Sequence, residues 1–258
     1  MISKLASVHP DAKIGANVTI EPFTTIYANV EIGEGSWIGP NVTIMDGARI
    51  GKHCRIFPGA VISAIPQDLK FEGEETTAEI GDHTTIRECV TINRGTKDRM
   101  VTKVGSHCLL MAYVHIAHDV LVGDHCILAN TANIAGHVTI ADWVIIEGVV
   151  AIQQFINVGA HAFIAGGSLV RKNVPPFVKA AREPLTFAGV NTIGLRRRGY
   201  SAETIAHIED VYRTIYVHNS NISQALKVAD IELPSTDEKE QIIQFILASD
   251  KGIIRGPV

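Results

Sequence analysis

No stretch of this 258-residue chain is apolar for long enough to cross a bilayer as a helix. The most hydrophobic run, Trp143 to Phe155, is broken by Glu147 and Gln153. Cysteine is scarce: four residues and no Cys-x-x-Cys pair, so the thiols read as structural and suit a reducing compartment. Basic excess is lacking as well, the formal net charge being −4, which removes the broad cationic footprint that nucleic acid requires. Val8 already belongs to the repeat described next, so a signal sequence is not expected. These absences predict a soluble, cytoplasmic protein, and 46% apolar side chains suffice for a full core.

What the chain has is periodicity. An aliphatic residue returns at every sixth position: Val8, Ile14, Ile20, Ile26, Ile32, Ile38, Ile44, Ile50, Ile56 and Ile62, then Ile80, Ile86 and Ile92, then Val104 and onward to Val170. A helix turns by about 100° per residue and would scatter these side chains, whereas six is an even multiple of the strand period and keeps them on one face. Four places after each aliphatic comes a small residue, among them Ala48, Cys54, Ala60, Cys108 and Cys126, which predicts a tight interior. Glycine one place after the aliphatic, and asparagine, glycine or histidine three places after it, mark corners where positive φ is tolerated. Strand and corner in alternation describe a coil. Three hexads make a triangular turn of about 18 residues, stacked about 4.8 Å apart like neighbouring strands of any sheet. The chain therefore reads as mainly β, a parallel β-helix.

Two interruptions, 63–79 and 93–103, must leave the coil as external loops, the usual place for binding and catalysis on a rigid solenoid. The repeat stops near Val170, and Pro175-Pro176 is expected to end strand structure. A helical grammar follows: Ser201 caps a helix reaching Val217, a short helix covers Ser223 to Ala229, and Ser235-Thr236-Asp237-Glu238 reads as a capping box before Lys239 to Ala248. The expected division is a β-helix over 1–190 and a small α-helical domain over 191–258. The cluster Arg196-Arg197-Arg198, expected before the first helix, is either a solvated patch or an anion site for phosphate.

Of the eleven histidines, His53, His83, His107, His125, His137 and His161 share the corner phase, where conformational tolerance alone explains them. His107, His125 and His161 also share one column, interrupted by Trp143. His115 and His118 fall outside that phase, in Val114-His-Ile-Ala-His-Asp119, which neither turn chemistry nor packing requires. The 18-residue turn sets Gly136 beside His118 and Gln154 beyond it, and Asp119 beside His137. A histidine held in one tautomer by a carboxylate, next to a glycine whose amide can approach an oxyanion, suggests acyl transfer.

The run His115-Ile-Ala-His-Asp119 occurs together with Gln67-Asp68-Leu69-Lys70, Ile86-Arg87-Glu88, Arg94-Gly95-Thr96, Ala135-Gly136-His137 and Gly189-Val190-Asn191. In this combination the chain closely resembles the bacterial UDP-N-acetylglucosamine O-acyltransferases, over nearly its whole length. The resemblance implies a left-handed β-helix, an exception to the right-handed rule for parallel crossovers. It also implies a homotrimer with sites between subunits, and the first step of lipid A biosynthesis: transfer of a (R)-3-hydroxyacyl group from acyl carrier protein to the sugar 3-hydroxyl, without metal or organic cofactor.

By the same resemblance His118 is the general base, Asp119 orients it, and the Gly136 amide stabilises the oxyanion. Gln67, Asp68, Lys70, His115, His137, Gln154, Asn191, Arg197 and Arg198 match substrate-binding positions, and Gly166 matches the site limiting acyl length. The chain departs from the family at Gln153 and Asn93, where histidine is common, and at Ile193, where glutamate is common. Two other readings share the scaffold. One is a zinc-dependent, carbonic-anhydrase-like hydratase with His115, His118 and His137 as ligands. The other is the later N-acyltransferase of the same pathway, which usually carries an additional N-terminal domain.

Overall fold

A computed structural model describes residues 1–218 and 221–256. The period-six aliphatics lie in short parallel strands, most of only two residues, whose second side chain points inward; Ile38, Ile44, Ile56 and Ile62 are all fully buried. Burying each such side chain stabilises the coil by about 1.5–3 kcal/mol. Among the described residues the strands form three sheets of nine, eight and ten strands, and successive strands of the chain visit the three in rotation as far as Leu169–Val170. Register holds aliphatic over aliphatic, as in Ile26–Ile44–Ile62 and Leu110–Leu128–Ile146. Ala48, Cys54, Ala60 and Cys126 fill the small interior phase at 0% exposure, and burial pushes the Cys54 thiol up to about 11.

Both interruptions leave the coil, but each is shorter than the sequence suggests. Strands Val61–Ala64 and Thr77–Ile80 extend into the first, and strands Thr91–Asn93 and Val101–Val104 into the second. The pairings Ile62 with Ile92 and Ile92 with Ile116 splice the excursions out and keep the columns intact.

The two glycine phases answer different needs. Residues three places after the aliphatic do take positive φ, His107 at 57° and Asn41 at 56° among them, but so do Tyr113, Trp143, Val149 and Phe155. Glycine one place after the aliphatic is there for contact between turns. A Cβ on Gly105 would lie 2.5 Å from the Gly123 carbonyl oxygen, closer than backbone can accept.

The column of corner histidines is continuous. His53, His83, His107 and His125 stack face to face at centroid spacings of 4.9–5.0 Å, and Trp143, His161 and Phe177 prolong the stack. Ring faces meet here, so the column packs as an aromatic ladder. On the outer wall of the eight-stranded sheet, Lys13, Glu31, Arg49, Glu79 and Lys103 are register neighbours of alternating sign, followed by Leu121, Thr139 and Asn157. Lys13 Nζ donates to Glu31 Oε1 at 2.8 Å and lowers the Glu31 pKa, while such exposed pairs contribute about 0–1 kcal/mol each.

Pro175-Pro176 does not end the strands. The prolines lie at a corner where Pro176 packs on Gly159, Phe177 takes φ 64°, and Val178–Ala181 pairs parallel with Phe163–Ile164 before Thr186–Val190 returns antiparallel. A corner needs no ladder amide, so proline is tolerated there. Among the described residues four helices follow: α1 (Thr192–Arg197), α2 (Ala202–Arg213), α3 (Ile222–Glu232) and α4 (Asp237–Leu247), with a π-helical turn Thr214–His218 after α2. Helix α1 contains Arg196 and Arg197 in its last turn and ends at Arg198, so the arginine cluster closes the first helix rather than preceding it. Ser201 caps α2 as read, but α4 is capped by Thr236, which accepts from the Lys239 amide; the cap lies one residue past the expected Ser235, and with lysine at the third helical position no capping box forms. Phe187 stacks on Tyr212 and Tyr216, and Tyr212 Oη donates to the Pro176 carbonyl, seating the helices on the last coil. Among the described residues no helix is long and apolar enough to cross a membrane.

Candidate active site

The site is built on the corner that follows the nine-stranded sheet. Strand His115–Ile116 delivers His118 and Asp119, and the next coil delivers Gly136 and His137 directly against them. Asp119 takes φ 59° and is fully buried, while the His118 side chain keeps 15% of its exposure. His118 Nδ1 lies 2.8 Å from Asp119 Oδ2. Against an ionised carboxylate, Nδ1 carries the hydrogen and Nε2 keeps its lone pair for a proton.

Asp119 is held from its other side by the second loop, 94–100. Its Oδ1 accepts from the Thr96 amide at 3.0 Å and the Arg99 amide at 3.2 Å, and its Oδ2 accepts from Thr96 Oγ1 at 2.7 Å. Burial alone would raise this carboxyl's pKa; the donors from Thr96, His118 and Arg99 together outweigh it and hold the group below the ordinary carboxylate value.

Gly136 stands over the imidazole. An ideal Cβ there would fall 2.8 Å from His118 Cε1 and 2.9 Å from Nε2. Its amide belongs to the phase two places after the aliphatic, and elsewhere in that phase the amides point out of the wall to carboxylates. Lys52 donates to Asp82, Ser106 to Asp124, Asp124 to Asp142, and Gly166 to Glu147, at 2.7–2.9 Å. Among the described residues the Gly136 amide donates to none, so it is open to an acceptor from outside.

His137 meets His118 edge to face at a centroid distance of 5.1 Å and stacks on Phe155 at 4.5 Å. Its Nδ1 is 3.0 Å from Asp98 Oδ2 but lacks hydrogen-bond alignment, so the two groups are near neighbours only. A groove of about 400 Å³ opens at this point, lined by Asp68, Lys70, Thr96, Asp98, His137 and Phe155, which brings both loops to the same cleft as His137.

The other expected site residues are distributed more widely. His115 turns Nδ1 to Thr91 Oγ1 at 2.8 Å, and burial lowers its pKa. Within one chain, among the described residues, His118, Asp119 and His137 converge, with potential ligand atoms within 4.8 Å of one another, while His115 faces Thr91 instead. Gln67 and Gln154 are exposed, Gln154 on the same corner column as Gly136. Asn191 is committed locally: Oδ1 caps α1 through the Gly194 amide, and Nδ2 donates to the His161 carbonyl. Arg198 reaches His161 Nδ1 at 3.2 Å and lies over Trp143, whereas Arg197 is exposed.

His118 thus occupies the edge after the nine-stranded sheet, His161 and Arg198 the edge after the eight-stranded sheet, and Gly166 the edge after the ten-stranded sheet. At the family departures, Asn93 is buried and donates to the Ile65 carbonyl, tying the two loop roots together, while Gln153 and Ile193 are exposed. The contributions of Thr96, Arg99 and Phe155 were not read from the sequence. Phe155 had a signal, one turn after His137 in a corner phase; Arg99 had none, because its loop breaks the period.

Residues 173–254 match a family model described as UDP-N-acetylglucosamine O-acyltransferase, domain 2, and residues 29–64 and 102–136 match bacterial transferase hexapeptide repeats. The chain is 49% identical to the acyl-[acyl-carrier-protein]–UDP-N-acetylglucosamine O-acyltransferase of Paracidovorax citrulli, over 98% of this chain and 99% of that one. Its structure resembles a UDP-N-acetylglucosamine acyltransferase from Bacteroides fragilis, with TM-score 0.98, 52% identity, and coverage of 99% of this chain and 100% of the other. The corresponding Francisella novicida structure gives TM-score 0.94 at 40% identity, covering 100% and 95%. The fold is the left-handed parallel β-helix of hexapeptide repeats. This chain belongs to the family of acyl-[acyl-carrier-protein]–UDP-N-acetylglucosamine O-acyltransferases.

Proposed function

We propose that the chain transfers a (R)-3-hydroxyacyl group from acyl carrier protein to the 3-hydroxyl of UDP-N-acetylglucosamine, the first step of lipid A biosynthesis, in the cytoplasm. His118 Nε2 takes the hydroxyl proton as the sugar oxygen attacks the thioester carbonyl. The Gly136 amide receives the oxyanion of the tetrahedral intermediate. As the intermediate collapses, the C–S bond breaks, the thiolate regains the proton from the imidazolium, and the ester is released. Neither a covalent enzyme intermediate nor a cofactor enters this scheme.

The observation that supports it is the pairing of an orientated imidazole with an uncommitted outward-pointing amide on the adjoining coil. In the same reading Asp68, Lys70 and His137 hold the glucosamine end of the acceptor in the groove, Gln67, His115 and Gln154 line its surroundings, and Arg197 and Arg198 address the nucleotide from the end of α1, the helix that Asn191 caps. Gly166 sets acyl length.

These groups lie on three different edges, too dispersed for one ligand on one chain. A homotrimer of parallel solenoids resolves this by setting one chain's edge against its neighbour's. The outward residues Leu109, Ile127, Ile145 and Phe163 support such packing, since they form an apolar stripe in register on the ten-stranded sheet.

The test is His118→Ala assayed with purified carrier-bound donor and UDP-sugar. Turnover should fall by about 10²–10⁴-fold, the usual contribution of a positioned acid or base, while the variant melts like the parent. Near-normal turnover would remove His118 from this role.

A further inference from the structure

We propose that Thr96 and Arg99 are positioning residues that keep Asp119 ionised and facing His118, and so fix the imidazole tautomer that can accept a proton. This rests on the reading of His118 as the base.

A fully buried carboxyl tends toward the neutral acid, and a protonated Asp119 could donate to His118 Nδ1. The imidazole would then carry its hydrogen on Nε2, the atom that must take the sugar proton. The loop 94–100 opposes this outcome with three donors, the Thr96 amide, the Thr96 hydroxyl and the Arg99 amide, distributed over both carboxylate oxygens. The remaining hydrogen-bond partner of Oδ2 is His118 itself, and His137 Nε2 faces the same oxygen from 3.9 Å, beyond hydrogen-bond reach.

Arg99 also fastens the loop to the solenoid. Its Nη1 donates to the Asp119 carbonyl at 2.8 Å and to Thr139 Oγ1 at 3.3 Å, bridging two coils, and the Asp119 amide donates to Thr102 Oγ1 at 2.8 Å. The excursion from the repeat is thus what supplies the donors that a regular hexad corner lacks. Lys97 and Asp98, between the two clasp residues, line the groove, so one short segment both borders the acceptor cleft and holds the carboxylate.

The experiment compares Thr96→Val, Thr96→Ser, Arg99→Ala and Arg99→Lys with the parent, by steady-state kinetics in both substrates and by ¹⁵N-histidine NMR of the His118 ring. Thr96→Val should lower kcat by about 10–100-fold with KM for the UDP-sugar changed by about twofold or less, as for other groups that orient an active residue. Thr96→Ser should recover most of the rate, and the NMR should show the Nε2–H tautomer appearing in Thr96→Val alone of that pair. Arg99→Ala should lower kcat in the same sense, with partial recovery in Arg99→Lys. If Thr96→Val does not fold, the arginine pair and its NMR carry the test.

Parent-like kcat in Thr96→Val and Arg99→Ala, or an unchanged His118 tautomer in both, overturns the proposal. So does a Thr96→Ser variant as impaired as Thr96→Val, since that marks a merely structural role. His118→Ala separates the two levels. An inactive His118→Ala beside parent-like loop variants removes the clasp and leaves the base, whereas an active His118→Ala removes the base reading and the clasp with it.

Discussion

Gly136 and His118 are packed so closely across adjoining coils that the glycine's missing Cβ would lie 2.8 Å from the imidazole Cε1. The glycine does not have positive φ, so alanine there meets no backbone strain and acts only through the ring. Gly136→Ala should therefore displace His118 while leaving the amide in place. Turnover should fall by about 100-fold, the cost of misplacing a reacting group by roughly 1 Å. Steady-state kinetics with a parent-like melting curve checks this, and a fully active variant would show that the ring yields at no cost.

Arg197 and Arg198 should separate cleanly. Arg197 is exposed, so Arg197→Ala should raise KM for the UDP-sugar with kcat and stability nearly unchanged. Arg198 is half-buried, contacts His161 and lies 5.3 Å over the Trp143 ring, so Arg198→Ala should also lose stability, by about 0.5–2 kcal/mol for the cation–π contact. Chemical denaturation alongside kinetics distinguishes the two. Equal nucleotide affinity in Arg197→Ala and the parent would refute the assignment.

His161 predicts a pH effect on stability. Burial first, and then the Arg198 charge, hold its imidazole down at about 4, against an ordinary value of about 6.5. Between those values the unfolded chain binds a proton that the folded chain does not, so stability falls as pH drops from about 6.5 to about 4 and this contribution then levels off. His161→Gln should flatten that part of a melting-temperature profile. Parallel profiles for parent and variant would show that His161 does not contribute.

The inter-turn glycines make a prediction about the fold itself. Gly105→Ala would drive a Cβ into the Gly123 backbone and should cost about 1–3 kcal/mol, the range for overpacking. At Gly148, whose Cβ would meet only the Asn130 carbonyl at 3.3 Å, alanine should be nearly neutral. Urea unfolding of the two variants provides the comparison.

The solenoid was legible because one physical requirement, an inward aliphatic on every short strand, recurs often enough to declare its own period. Register followed from the period, and with it the contact of His118 with Gly136. Legibility failed where that requirement was relaxed. Pro175 and Pro176 look terminal in sequence, yet a coil corner asks for no amide donor, so the strands continue to Val190. The bulky corner residues Tyr113 and Val149 show that neighbouring turns impose positive φ whatever the residue type, so histidine at a corner reveals less about conformation than composition suggests. Thr96 and Arg99 reach Asp119 from a segment without period, where sequence distance carries no spatial information.

The alternating wall Lys13–Glu31–Arg49–Glu79–Lys103 has a consequence for how such a chain can change length. Excising or duplicating a whole turn leaves the prism geometrically intact, but within this stretch it would seat lysine against arginine, or two glutamates together. Past Lys103 the same wall continues as Leu121, Thr139 and Asn157, where an added turn meets no such repulsion. Growth or shortening by complete turns is therefore easier in the half that carries the active site than in the half that precedes it.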